Sequence, residues 1–330
     1  CVDDDGGKHN YILQAVNSNV FKIPSQVMEN IVKVTDFLQS KAESSREVLN
    51  VIRTYSDGIH YKDKDGYFWR MYDFVEDSIC LDRPEDVNDF YQCAVAFGKF
   101  QRYLTDFPAE SLHETIPDFH NTPKRFNDFL KAVEEDKCGR AGSVKEEIEF
   151  IKSRQDFYSV LVDSNKKGEL PLRVSHNDTK SNNVMLDAET HNALCVIDLD
   201  TIMPGFSVTD FGDAIRTYAN TGAEDATDLS TVSLSLPMFA AYADGYLSQQ
   251  ATKLNQAELD HLAFSARYIT FEQVLRFLMD YINGDTYYKI KSPLHNLERT
   301  HAQYALLQSI EAQYAEMCEV IKQTTAKYLA

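Results

Sequence analysis

The residues best suited to chemistry lie in two segments, HNDTKSNN at 176–183 and VIDLD at 196–200. Two short apolar runs around a polar turn separate them and predict a β-hairpin. Carboxylates such as Asp178 and Asp198 can accept a proton or bind a hard divalent cation, and the amide oxygen of Asn183 can add a neutral ligand. Each residue alone is more often a turn former. Their combination and order are what indicate a catalytic site.

The elements that position these segments change character near residue 77. The earlier part predicts strands and one helix, and the later part predicts long helices interrupted by alternating apolar and polar residues. We therefore predict an N-terminal lobe at 1–76 and a helical C-terminal lobe at 77–330, with a catalytic hairpin at 173–200. The predicted strands of the first lobe lie at 11–16, 48–55 and 67–75, and the predicted helix starts at Pro24.

Composition narrows the possible partners and compartments. Asp and Glu number 51 against 33 Lys and Arg, a net charge of −18 without a dense basic cluster, which argues against a nucleic-acid partner. The six cysteines show no paired spacing for a zinc knuckle or a disulfide framework. No apolar run or leader predicts a membrane segment. We expect a cytoplasmic protein with a small-molecule substrate, and the sequence leaves its oligomeric state open.

The HxDxxxxN pattern at 176–183, followed by an apolar strand that ends in Ile197-Asp198, resembles the catalytic and metal-binding segments of kinases. The match is to small-molecule kinases of the aminoglycoside phosphotransferase and choline kinase type. This resemblance implies an α+β, protein-kinase-like fold of two lobes, a small β-rich N-terminal lobe that binds nucleotide and a larger, mainly helical C-terminal lobe. It also implies ATP and Mg²⁺ as cofactors.

The same resemblance assigns roles to individual residues. Asp178 is expected to accept the proton of the substrate hydroxyl, and Asn183 and Asp198 are expected to bind Mg²⁺. Period-two alternation along the predicted strand places Asp200 on the same face as Asp198, where it could be a further metal ligand.

Three other features near the hairpin need an interpretation. His176 is expected to brace the catalytic loop, and Lys180 to meet the transferring phosphoryl group. Asp210-Phe211-Gly212 spells the metal-binding tripeptide of protein kinases but lies well beyond the hairpin. We expect Asp210 and Asp213 to cap a helix or brace a loop instead.

Within the family, the sequence looks closest to the bacterial N-acetylhexosamine 1-kinases. That likeness implies transfer to the anomeric hydroxyl of N-acetylglucosamine or N-acetylgalactosamine, with Arg276 and Tyr287 at the sugar. Alternatively, Glu272, Arg276 and Asp280, spaced four residues apart, could form a solvated ion-pair face. The matching segments are 11–14, 27–30, 116–120, 174–180, 197–201 and 272–278.

The nucleotide-binding lobe departs from protein kinases at two points. Gln14 occupies the position of their phosphate-binding Lys, for which Lys8 or Lys22 could substitute, and Glu29 occupies that of the partner Glu. We still expect Gln14 and Glu29 at the nucleotide. No glycine-rich loop precedes Tyr11, so we expect about one hairpin to be missing upstream.

Two other functions stay open at this point. One is a kinase for an aminoglycoside, choline or homoserine, where a cationic acceptor needs an acidic or aromatic cage. The other is a non-catalytic nucleotide-binding relative that keeps the fold, against which the presence of Asp178, Asn183 and Asp198 argues.

Overall fold

The computed structural model describes residues 8–330, so the predicted turn at Gly6-Gly7 lies outside the described residues. The strands are β1 (Tyr11–Ala15), β2 (Tyr61–Lys62), β3 (Phe68–Asp73), β4 (Ser78–Cys80), β5 (Arg173–Ser175), β6 (Val184–Asp187), β7 (Ala193–Val196) and β8 (Met203–Gly205). The α-helices are α1 (Pro24–Gln39), α2 (Val87–Tyr103), α3 (Thr122–Glu135), α4 (Lys145–Lys152), α5 (Val160–Lys166), α6 (Ser207–Tyr218), α7 (Leu236–Gln250), α8 (Gln256–Ile282), α9 (His295–Ala312) and α10 (Tyr314–Leu329).

The N-terminal sheet is antiparallel, in the order β1-β3-β2. Its register places Gln14 of β1 opposite Arg70 of β3. Helix α1 begins at Pro24, as predicted, because a proline at the first helical position has no amide hydrogen to leave unpaired. The apolar residues that recur along α1 are buried: Val27, Ile31, Val34 and Leu38.

The strand predicted at 48–55 is wrong. Only an isolated bridge forms there, between Val51 and Tyr72 of β3. Thr54 ends the pairing because its hydroxyl accepts a hydrogen bond from the amide of Gly58 at 2.9 Å, which closes a turn.

The predicted hairpin forms between β6 and β7, and β4 adds a third strand beside β6. β5 pairs instead with β8, which lies beyond the predicted hairpin. The two small sheets therefore hold both ends of the segment that carries the candidate catalytic residues.

Two compact units divide the chain. The first comprises Cys1–Pro117, Leu172–Ser207 and Asp244–Lys253, and the second comprises Asp118–Pro171, Val208–Ala243 and Leu254–Ala330. The first unit contains the strands described above. The core of the second is built largely from α3, α4 and α8 and includes Phe129, Ile151 and Phe271. The predicted lobes, 1–76 and 77–330, cut the chain differently and remain a prediction.

Among residues 8–330, none of the helices combines the length and the apolar character that crossing a bilayer requires.

Candidate active site

The loop at 176–183 is tied to the segment that follows β7. The Thr201 hydroxyl donates to the carbonyl of His176 at 2.6 Å, and the Asn177 amide donates to the carbonyl of Thr201 at 2.9 Å. Gly205 is needed beside this loop, because a Cβ there would lie 2.8 Å from the Cβ of Ser175. These contacts fix the path of the loop before any substrate binds.

His176 is buried beneath the loop. Its Nε2 donates to the carbonyl of Ile197 at 2.9 Å, and its Nδ1 accepts from the amide of Asp178 at 3.3 Å, so the proton lies on Nε2. The ring also meets Phe97 edge-on, with centroids 5.4 Å apart. His176 thus joins the residue before Asp198 to Asp178 and holds both segments together.

Asp178 and Asn183 lie in direct contact. The Asn183 amide nitrogen donates to Oδ2 of Asp178 at 3.1 Å and to its carbonyl at 2.9 Å. The ammonium group of Lys180 lies 2.8 Å from Oδ1 of Asp178, and its side chain is about half exposed. Both carboxylate oxygens of Asp178 are therefore oriented, one by a buried amide and one by a surface cation.

Asp198 and Asp200 follow β7 but do not continue it. Asp198 has the left-handed φ of 56°, which ends the strand, and Asp200 lies in a short 3-10 helix at Leu199–Thr201. The prediction that strand alternation places both carboxylates on one face is therefore wrong, because no strand extends that far. Aspartate tolerates this conformation better than most residues.

Two neighbouring carboxylates, those of Asp200 and Asp178, act on Asp198. Its side chain keeps contact with solvent, but surrounding protein atoms remove part of the water around the carboxylate. This loss of hydration, together with the charges of Asp200 and Asp178, raises the pKa of Asp198. A carboxylate in such surroundings is stabilised by a bound cation.

Arg70 is the residue of this site that the sequence analysis missed. It is buried on β3, where Nε and Nη2 donate to Oε1 of Gln14 at 3.2 and 3.1 Å, and Nη1 donates to Oδ1 of Asp200. Burial tends to lower the pKa of Arg70, but the nearby negative groups outweigh it and raise that pKa. A basic residue flanked on both sides by aromatic and apolar residues in a predicted strand was the available signal.

The structure does not pair Gln14 with Glu29. The Glu29 carboxylate lies 2.7 Å from Nε2 of His113, and no hydrogen bond or ion pair joins it to Gln14 in the described part of the chain. Lys8 and Lys22 are both exposed, and Lys22 donates to the carbonyl of Asn19. The cation found beside Gln14 is instead Arg70.

The oxygen atoms near Asp178 suit a magnesium ion that binds few protein ligands and keeps most of its water and phosphate ligands. No cluster of three or more His, Cys, Asp or Glu side chains within residues 8–330 could hold a metal ion by itself. Mg²⁺ usually takes only one or two protein carboxylates and completes its shell with water and substrate phosphates. The Asn183 amide oxygen and the Asp198 carboxylate make no hydrogen bond within those residues, so they fit this role.

The second compact unit contains a buried ionic cluster around Glu272. Glu272, Arg276 and Asp280 are all buried, so a solvated ion-pair face is the wrong description of them. Glu272 lies 2.9 Å from Nδ1 of His120 and 3.6 Å from Nη1 of Arg276, and it accepts from the Thr122 hydroxyl. Although burial tends to raise the pKa of Glu272, His120 and Arg276 lower it to about 2. Glu272 is therefore ionised at neutral pH.

Three aromatic rings surround the guanidinium of Arg276. Its centre lies 5.6 Å from the ring of Phe119, 5.9 Å from that of Tyr287 and 5.8 Å from that of Tyr288. Asp280 fixes the loop that carries both tyrosines, because its carboxylate accepts from the amides of residues 286, 287 and 288 at 2.8 to 3.0 Å. Arg276 and Tyr287, the two residues predicted to bind the sugar, are thus neighbours.

Asp210, Phe211 and Gly212 are packing residues of α6. Asp210 and Phe211 are buried, and a Cβ on Gly212 would lie 2.4 Å from the carbonyl oxygen of Ser265 on α8. Asp213 pairs with Arg216 at 2.9 Å. These contacts give the tripeptide a packing role in α6.

A sequence model of the phosphotransferase enzyme family, abbreviated APH, matches residues 3–248. The chain belongs to the phosphotransferase enzyme family. An aminoglycoside phosphotransferase from Alicyclobacillus acidocaldarius is similar in structure to this phosphotransferase, with a TM-score of 0.63 at 11% identity, over 98% of this chain and 89% of that one. A microcompartment-associated aminopropanol kinase has a TM-score of 0.62 at 15% identity, over 95% and 88% of the two chains.

Amicoumacin kinase, solved in complex with AMP-PNP and Ca²⁺, has a TM-score of 0.53 at 10% identity, over 99% of this phosphotransferase and 84% of that chain. At such identities these structures show the fold alone. They confirm the predicted kinase-like fold, with a small β-rich N-terminal region and a larger helical C-terminal part.

Proposed function

We propose that this phosphotransferase transfers the γ-phosphoryl group of ATP to the anomeric 1-hydroxyl of an N-acetylhexosamine, N-acetylglucosamine or N-acetylgalactosamine. The observation that carries the proposal is the grouping of Asp178, Asn183 and Asp198. The Asn183 amide contacts the Asp178 carboxylate at 3.1 Å, and the charge of Asp178 acts on Asp198. A base beside two oxygen ligands for a divalent cation is what phosphoryl transfer needs.

In the proposed reaction, Asp178 accepts the proton of the sugar hydroxyl as that oxygen bonds to the γ-phosphorus. The bond from the γ-phosphorus to the β,γ-bridging oxygen breaks, and ADP leaves. Asn183 and Lys180 orient the carboxylate of Asp178, and His176 fixes the loop beneath it. General base assistance of this kind is worth about 10²- to 10⁴-fold in rate.

Asn183 and Asp198 would hold Mg²⁺ through the Asn183 amide oxygen and the Asp198 carboxylate. When bound, the ion neutralises charge on the phosphates. The likeness to amicoumacin kinase, a structure that contains AMP-PNP and Ca²⁺, supports the use of a nucleotide with a divalent cation. Asp200 was predicted as a further ligand, but its Oδ1 accepts from Arg70.

A neutral acceptor suits the Arg276 cluster better than a cationic one. The aromatic faces of Phe119, Tyr287 and Tyr288 already meet the guanidinium of Arg276, so they do not form a vacant cage for a substrate cation. Arg125 lies close enough that burial and the charge of Arg276 lower its pKa. The charges of Arg125 and Arg276 are matched by the two carboxylates of Glu272 and Asp280, so the cluster has no excess negative charge that would favour a cationic acceptor over an uncharged sugar.

The acceptor is tested by supplying ATP and Mg²⁺ with N-acetylglucosamine, N-acetylgalactosamine, choline, kanamycin or homoserine. Phosphorus NMR of the product distinguishes an anomeric phosphate from other esters. We expect an anomeric phosphate from an N-acetylhexosamine. Turnover of choline, kanamycin or homoserine alone would contradict the sugar kinase and favour a kinase for that acceptor. Nucleotide binding without turnover of any acceptor would favour a non-catalytic nucleotide-binding protein.

The base is tested by Asp178→Asn. We expect kcat to fall by about 10²- to 10⁴-fold because the hydroxyl loses its proton acceptor. Binding of AMP-PNP, measured by calorimetry, should change little. The control is Asp128→Asn, which alters an exposed pair with Lys124 at 2.8 Å. Retained turnover in Asp178→Asn would remove Asp178 from the mechanism.

A further inference from the structure

We propose that Arg70 is the fixed cation that binds the nucleotide phosphates, and that Asp200 anchors Arg70 rather than completing the metal site. This inference rests on the proposed function, because it requires that a nucleoside triphosphate bind beside Asp198. It assigns the role left open by Gln14, which stands where protein kinases place a phosphate-binding lysine.

Arg70 keeps hydrogen-bond donors that its protein partners do not use. A guanidinium carries five N–H donors and no acceptor. Within the described residues, its hydrogen bonds use three of them, on Nε and Nη2 toward Gln14 and on Nη1 toward Asp200. One N–H on each Nη therefore has no protein acceptor. Charge-assisted hydrogen bonds from such donors to phosphate oxygens are among the strong ones in proteins.

Two groups of different chemistry hold Arg70. Gln14 contributes a neutral amide oxygen, which orients the guanidinium without cancelling its charge. Asp200 contributes a carboxylate, and Asp198 acts on the same guanidinium from farther away. Because Arg70 is buried, its position is set before ligand binds, which limits the entropy lost on binding phosphate.

Asp200 is bound to Arg70. One of its two carboxylate oxygens accepts a charge-assisted hydrogen bond from a buried guanidinium. Moving Asp200 onto a metal ion would leave Arg70 with an unpaired buried charge, which is costly. Asp198 has no such hydrogen bond to any residue from 8 to 330, so Asp198 and Asp200 have different surroundings and different proposed roles.

The experiment measures the Kd of ADP and of adenosine by calorimetry in EDTA, so that no metal contributes. In the wild-type protein the phosphates should make ADP bind more tightly than adenosine. In Arg70→Met we expect this preference to fall by about 10- to 100-fold, as for a lost hydrogen bond to a charged group, with the Kd of adenosine unchanged. Arg70→Lys should retain part of the preference for ADP over adenosine.

Two further variants keep the test decisive if Arg70→Met folds poorly. Gln14 is exposed, and Gln14→Glu should lower the ADP preference because the new carboxylate neutralises Arg70. Arg216→Lys is the control, because Arg216 is also buried and paired with carboxylates but lies in the second unit. It should lower thermal stability and leave the ADP preference unchanged.

The role of Asp200 is tested by the Mg²⁺ concentration that gives half-maximal binding of AMP-PNP. We expect Asp198→Asn to raise this concentration by about 10-fold or more, and Asp200→Asn to change it by less than about 2-fold while lowering the ADP preference in EDTA. If both variants raised this Mg²⁺ concentration equally, the assignment of Asp200 as the anchor of Arg70 would be wrong.

Failure of the proposed function and failure of the role proposed for Arg70 give different binding results. If the wild-type protein binds neither ADP nor AMP-PNP, the proposed function fails. If the wild-type protein binds both, while Arg70→Met and Gln14→Glu keep the full ADP preference, Arg70 does not bind the phosphates and only this inference fails.

Discussion

Glu272 shows how much depends on a single buried carboxylate. It is surrounded by His120, Arg125 and Arg276 and carries its charge without contact with solvent. We expect Glu272→Gln to lower the free energy of unfolding at pH 7 by about 3 to 5 kcal/mol, because buried positive charges lose their partner. Urea unfolding measures the change.

The effect of Glu272→Gln should depend on pH in a definite direction. The pKa of Glu272 is about 2 in the folded chain and near 4.5 without these neighbours. A lowered pKa stabilises the fold fully above the unfolded value, and the contribution is lost as pH falls toward the folded value. The wild type and the variant should therefore converge between pH 4.5 and 2. The exposed Glu149→Gln is the control, and a difference that grew with acidity would contradict the assignment.

Sequence reasoning at the residue scale predicted a catalytic group of Asp178, Asn183 and Asp198 from their order along the chain, and the roles of these residues stay a prediction. It did not find Arg70, because the pairing of Arg70 with Asp200 joins residues far apart in sequence. It could not decide between burial and exposure of Arg276, because four-residue spacing is the same on a buried and on a solvated helix face.

At the scale of elements, α6 meets α8 at Gly212. A methyl group at this position would lie 2.4 Å from the Ser265 carbonyl, and backbone on a long buried helix cannot easily yield. We expect Gly212→Ala to lower the free energy of unfolding by about 1 to 3 kcal/mol or more. Gly142→Ala, where nothing lies within 4 Å of the added methyl, is the matched control in a chemical denaturation experiment. Equal stability of both variants would show that α6 and α8 tolerate a wider separation.

The elements that periodicity predicted best are those with their own local signals. Helix α1 was predicted from Pro24 and its apolar spacing, and the β6–β7 hairpin from two apolar runs around a turn. The strand at 48–55 failed, because strand composition does not reveal that β3 accepts only a one-residue bridge there. The left-handed Asp198 likewise ended a strand that alternation alone would have extended.

At the scale of the whole molecule, the net charge of −18 is the dominant long-range feature. Self-repulsion at neutral pH opposes the compact state, and salt screens it over a Debye length of about 10 Å at 0.1 M. We expect the melting temperature to rise when NaCl is increased from about 0.02 to 0.3 M. KCl at the same ionic strength should raise the melting temperature equally, and sucrose of equal osmolarity should raise it less. A melting temperature that falls with salt would mean that local ion pairs outweigh the net charge.

Thr201 joins two chain segments, because its hydroxyl donates to the carbonyl of His176 and its carbonyl accepts from the Asn177 amide, and the His176 ring adds a third link to Ile197. All of these residues belong to one compact unit, whereas Arg276 and Tyr287 belong to the other. The hydrogen bonds that orient the proton acceptor thus contain no residue from the cluster proposed to recognise the sugar. Under the proposed roles, a substitution in that cluster would change the acceptor without removing any hydrogen bond of the loop at 176–183.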